Sequence, residues 1–199
     1  MTRSALTRQR IRRANRRLLR QYRDFRRAAD AVTAAWRGQP QVAAVSLIGS
    51  TARAPWKEVP RFAPYRRARI ELWHECKDVD LALWLYDAIG LNALRRAKAA
   101  ALQELFRREA IGVASHQVDI FVLDHATDEY LGRLCEFNAC PRGRPECLAP
   151  GCGRIGFLRQ HDGFRWQADA ISPQQAVRLF DRATGFHRLA ADLPLPSAG

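Results

Sequence analysis

An α/β fold is what this chain predicts, and three observations predict it. Stretches 41–48 (QVAAVSLI), 77–85 (KDVDLALWL) and 116–123 (HQVDIFVL) have the short, apolar, β-branched character of strands. Stretches 8–36 and 91–110 instead repeat apolar residues every three or four positions, as amphipathic helices do. A hydrophobic content of 47% over 199 residues allows one substantial core and argues against disorder. The chain divides into a basic N-terminal helix (1–38), a core (39–126, with an insertion at 54–69) and a cysteine-rich C-terminal part (127–199).

Along the first helix, Ile11, Leu18, Leu19, Tyr22, Phe25, Ala29 and Val32 form the apolar stripe. Arg12, Arg13, Arg16, Arg17, Arg20, Arg23, Arg26 and Arg27 fill much of the rest, and Gly38 and Pro40 stop the helix. An Arg face of this density suits a phosphate backbone, since each contact releases counterions. Arg stems that merely cover apolar surface give the same pattern. The strand at 41–48 runs into Gly49-Ser50-Thr51-Ala52-Arg53, where a glycine lets a ligand approach the backbone closely and Ser50 offers donors to a phosphate. A plain turn has the same signature. Stretch 55–69, with prolines, aromatics and basic residues, reads as a surface excursion that either stacks bases or is pinned by its own rings.

The acids stand out next. On a strand at 77–85, Asp78 and Asp80 share one face and Val79, Leu81, Leu83 and Leu85 the other. Two neighbouring carboxylates repel, and a hard divalent cation removes that conflict. Asp pairs also solvate strand ends without any metal. Asp119, set among Val118, Ile120, Phe121 and Val122, is a carboxylate that is costly to bury without a partner.

Past Asp124 the composition changes. Cys135, Cys140, Cys147 and Cys152 crowd a Gly/Pro/Arg-rich segment, which in a chain without a secretory signal points to tetrahedral Zn²⁺. The spacing is wider than in common zinc knuckles, so two disulfides or free thiols remain as alternatives, and His125 or His161 can stand in for one ligand. Cys76 reads as a small core residue. A hairpin turning at Asp162-Gly163 is expected within 154–166. A last helix is expected from Ser172, with Pro173 at its first position and Gln175 behind the cap. The tail after Leu193 is expected to be loose.

A net charge of +13 calls for an anionic partner, nucleic acid or a phosphorylated ligand. No stretch is apolar for long enough to span a bilayer, so neither a membrane partner nor a secretory route is expected, and the setting is read as cytoplasmic.

Taken in order, VSLIGSTAR, KDVDLALWL and HQVDIFVLD resemble the polymerase β-type nucleotidyltransferase superfamily over about 42–123. That pattern is an apolar strand into Gly-Ser, a hydrophobic-flanked Asp-x-Asp, then a third acid between hydrophobics. The resemblance implies a mixed sheet with helices on one face and the metal site on the other. It implies that Asp78 and Asp80 hold catalytic Mg²⁺ (or Mn²⁺), that Asp119 completes the site and helps to activate the attacking hydroxyl, and that Gly49 and Ser50, with Arg53, hold the nucleoside triphosphate. The implied reaction moves a nucleoside monophosphate to a hydroxyl-type acceptor and releases pyrophosphate. The acceptor stays open among RNA (a tRNA-like one included), protein and small molecule. A non-catalytic nucleic-acid-binding protein on the same fold, or a toxin–antitoxin component that nucleotidylates a protein, are the rival readings. Two features depart from the minimal members: a longer insertion between Ser50 and Asp78, and the cysteine segment.

Overall fold

A computed structural model describes residues 3–53, 63–69, 73 and 75–195. Four helices are present among them: α1 (Arg3–Arg37), the single turn α2 (Gly49–Ala52), the short α3 (Ala63–Arg67) and α4 (Leu91–Glu109). The strands are β1 (Val42–Ile48), β2 (Val79–Leu85), β3 (Val118–Asp124), β4 (Tyr130–Leu134), β5 (Leu158–Arg159), β6 (Val177–Asp181) and β7 (Phe186–His187). They form one α+β sheet in the order β5-β4-β3-β2-β1-β6-β7. Only β2 and β3 run parallel, α4 making the crossover; the other neighbours are antiparallel, so the sheet is mixed.

Strand parity sorts the side chains as the sequence requires. Val79, Leu81, Leu83 and Leu85 on β2, with Val118, Ile120 and Val122 on β3, join Tyr22, Phe25, Val32 and Trp36 of α1 and Leu94, Leu102 and Leu105 of α4 in the main core. Helices α1 and α4 therefore cover this face, and Trp36 Nε1 donates to Leu94 O at 3.0 Å to join them. Ala82, Trp84, Phe121 and Leu123 point the other way, into a smaller cluster closed by Tyr130, Phe164, Trp166, Ile171 and Ala176. The interior strand β1 is buried along its whole length, which fits an apolar run broken only by Ser46.

Several expectations change. The C-terminal helix expected from Ser172 is absent: the amides of Gln175 and Ala176 close one turn on Ser172 O, and Val177–Asp181 is β6, antiparallel to β1. The cap chemistry nucleates a turn, but alternating Val177 and Leu179 then satisfy a β1 edge that would otherwise be bare. No hairpin forms across 154–166 either. The turn at Asp162-Gly163 exists, with Phe164 N donating to His161 O, but β5 pairs with β4 instead. Leu193 and Leu195 pack against the core, and Arg26 Nη1 donates to Leu193 O at 2.8 Å, so the start of the tail is held rather than loose. Arg26 itself is 2% exposed and belongs to the core, not to an Arg face, whereas Arg12, Arg13, Arg16, Arg17, Arg20 and Arg23 are exposed. Of the basic and aromatic excursion, 54–62 lies outside the described residues. No helix among the described residues is long and apolar enough to cross a membrane.

Buried Lys98 of α4 donates to Ser115 O at 3.0 Å and to Val118 O at 2.9 Å, and it pairs with Glu136. Burial lowers its pKa, against the pull of that carboxylate. An unpaired ammonium here would be untenable, so this pair pins α4 to the entry of β3 and to the chain just past β4.

Candidate active site

The topology brings the three sequence motifs to one end of three adjacent strands. β1 ends where antiparallel β2 begins, with Ile48 opposite Asp80, and parallel β3 places Asp119 directly opposite Asp80. Gly49 follows Ile48 at φ +68°, and a Cβ built there would lie 2.3 Å from Asp80 Oδ2. The Gly-Ser turn and the central carboxylate thus touch, and only glycine allows it. Asp78 lies exposed just ahead of β2, while Asp80 and Asp119 are part-buried. Ser50 is part-open to solvent beside them and Arg53 is exposed at the turn's far end.

Charge crowding follows from this register. Asp80 is pushed up to about 6, first by burial and then by Asp119 and Asp78, with Arg133 opposing. Arg133 reaches from β4, and its Nη1 donates to Asp119 Oδ2 at 3.0 Å. Its guanidinium lies 4.5 Å from the Phe121 ring centroid and 5.0 Å from that of Phe164, so the rings of the second cluster fix where the charge sits. His161, close enough to Asp119 to feel its charge, is held below the usual imidazole range by burial and by Arg159 and Arg133.

Helix α1 holds the Gly-Ser turn from behind. The Tyr22 hydroxyl faces the carbonyls of Thr51, at 2.9 Å, and Arg53, while Arg26 Nη2 donates to Tyr22 at 3.0 Å. Arg26 Nε reaches Thr51 O at 3.4 Å. These two side chains do not reach the acids; they set the backbone that Ser50 presents.

Sequence reasoning did not single out Arg133, nor the supporting roles of Tyr22 and Arg26. Nothing local marks Arg133, since its partner is chosen by strand pairing. A signal for Arg26 existed: it lies on the stripe running from Tyr22 to Ala29 at helical spacing.

The four cysteines are brought together elsewhere, around one cavity beyond β4 and β5. No disulfide joins any of the five cysteines. Neither His125, which stacks edge-on with Tyr86 at 4.8 Å, nor His161 lines that cavity, and Cys76 is buried in the main core as expected. Among the described residues no three or more His, Cys, Asp or Glu side chains are gathered into a metal site as they stand.

No family model matches this chain, and no curated protein or solved structure matches it.

The Arg133–Asp119 contact predicts its own test. In Arg133→Met the stem keeps its seat between the rings, but Asp119 loses a charged hydrogen bond of about 1.5–3 kcal/mol. The variant should lose stability on that scale in chemical denaturation. An unchanged midpoint without metal would refute the contact's importance.

Proposed function

We propose that this chain is a metal-dependent nucleotidyltransferase of the polymerase β type, which moves a nucleoside monophosphate from an NTP to a hydroxyl-type acceptor. The observation that carries the reading is the contact between Gly49 and Asp80, with Asp119 directly opposite Asp80 on the parallel strand. Three motifs distant in sequence meet at one point, in the order and on the strands that such chemistry needs.

The acids fit a hard divalent cation. Asp80 is a carboxyl held up to about 6 partly by two like charges, and a cation beside it would reverse that penalty. Asp78, Asp80 and Asp119 would hold Mg²⁺ or Mn²⁺, which when bound would neutralise charge on the phosphates and on the departing pyrophosphate. Ser50 and the backbone of the Gly49 turn receive the triphosphate, with Arg53 adding charge at the rim. Tyr22 and Arg26 keep that turn in place. An acceptor hydroxyl oxygen then forms a bond to the α-phosphorus as the bond to pyrophosphate breaks. Asp119, oriented by Arg133, takes the hydroxyl proton.

A basic surface favours RNA as the acceptor. Net charge is +13, and the outward arginines of α1 stand clear of the core.

Label transfer tests this directly. The protein is incubated with each α-³²P-labelled NTP, Mg²⁺ or Mn²⁺, and total RNA or cell extract. Label should move to RNA with the wild-type chain, slow by about 10²–10⁴-fold in Asp119→Asn and vanish in Asp78→Asn/Asp80→Asn. Transfer to protein or to a small molecule would keep the enzyme and replace the acceptor. No transfer with any nucleotide, together with salt-sensitive RNA binding, would make the chain a non-catalytic binding module.

A further inference from the structure

Between Leu134 of β4 and Leu158 of β5 the chain makes a long excursion whose ends are closed by Cys135 N donating to Phe157 O at 2.8 Å. Its one regular element is a 3₁₀ turn at Pro145–Leu148, and no residue from 136 to 157 is buried. A loop of this length with neither secondary structure nor an apolar core of its own needs a cross-link to hold one shape. Disulfides do not supply it.

The thiols do come together. Cys135, Cys140, Cys147 and Cys152 line a single cavity of about 10 Å³, with Phe137, Ala139, Pro141, Gly153, Leu158 and Arg159. Nothing in that wall is acidic, and the volume admits one small ion rather than an organic ligand. We infer that the four cysteines form a structural zinc site that staples this loop to β4 and β5, a reading independent of the nucleotidyltransferase assignment.

The surroundings offer partners to ligating sulfurs. The Phe137 amide donates to the Cys135 sulfur. Arg159 lines the cavity, and its Nε is a buried donor without an acceptor. A ligating sulfur carrying negative charge would satisfy it. Arg142 and Arg144 each lie 5.4 Å from the Phe137 ring, and so bring further positive charge to a tetrathiolate centre of net charge −2. Drawing the sulfurs to the roughly 2.3 Å of a zinc–thiolate bond moves Cys140, Cys147 and Cys152, in a loop with no buried residue, toward Cys135, which is buried just past β4.

Elemental analysis of the full chain, purified without chelator from zinc-supplemented culture, tests the site. About one zinc per chain is expected, released in step with four thiols as a mercurial titrates them. Each of Cys135→Ser, Cys140→Ser, Cys147→Ser and Cys152→Ser should lose at least half of the metal, and Cys76→Ala should keep it. Chelation should also speed tryptic cleavage after the exposed Arg142 by tenfold or more. Metal-free protein with four freely titrating thiols would overturn the site, as would full zinc in any one of the four serine variants. Cleavage at the same rate with and without chelator would overturn the stapling role. If Cys76→Ala does not fold, the mercurial titration of wild type decides alone.

Discussion

Asp80→Asn should make the metal-free protein more stable at pH 8 while abolishing transfer. Asp80 holds its proton up to about 6 in the folded chain against an ordinary 3.8. Between those values the folded state binds more protons than the unfolded one, so stability falls as pH rises through that window. Below it, both states are protonated and nothing is lost. Above it, the full penalty stands, about 3 kcal/mol at about 1.4 kcal/mol per pH unit. Asparagine keeps the shape but cannot ionise, so the variant escapes most of that penalty at pH 8 and loses its advantage near pH 4. Saturating Mn²⁺ nearly closes the gap: wild type gains about 2.7 kcal/mol at a hundredfold excess over Kd, and the variant gains little. Urea denaturation at the two pH values, with and without Mn²⁺, reads all four numbers. A variant less stable than wild type at pH 8 without metal would sink the crowded-carboxylate account. Equal stabilisation of both proteins by Mn²⁺ would sink Asp80 as a ligand.

The part of this site that was legible in the sequence is the part that local periodicity encodes. Asp78 and Asp80 sit two apart, and Asp119 stands inside an apolar run, so parity alone sends Asp80 and Asp119 to the face away from α1 and α4. What periodicity cannot encode is which strands are neighbours. Arg133 finds Asp119 only because β4 lies beside β3, and β4 is short and mixed in character, with Gly132 at its centre. The same blindness cost the C-terminal element: Ser172-Pro173 is sound helix-start chemistry, and only the open edge of β1 turns the next residues into a strand. For the cysteines the sequence gathered the residue types, but β4–β5 pairing is what closes the loop that gathers the side chains.

Gly49→Ala should separate function from stability without replacing any of the acids. At φ +68° a Cβ adds strain of about 1–2 kcal/mol. Its nearest neighbour would be Asp80 Oδ2 at 2.3 Å, the free end of a side chain and not backbone. The clash is therefore relieved by rotating Asp80 away, which also moves its carboxylate out from between Asp119 and Asp78 and offsets part of the strain. Stability should fall by no more than about 2 kcal/mol. Transfer should fall by about a hundredfold or more, since a displacement near 1 Å at the reacting centre suffices for that. Mn²⁺ affinity should drop with it, because one ligand has turned aside. Measured together, Tm, Mn²⁺ binding and label transfer distinguish this from simple unfolding, in which all three would collapse. Transfer within a few-fold of wild type would show that Asp80 has no fixed position to lose, and the proposed site would fall with it.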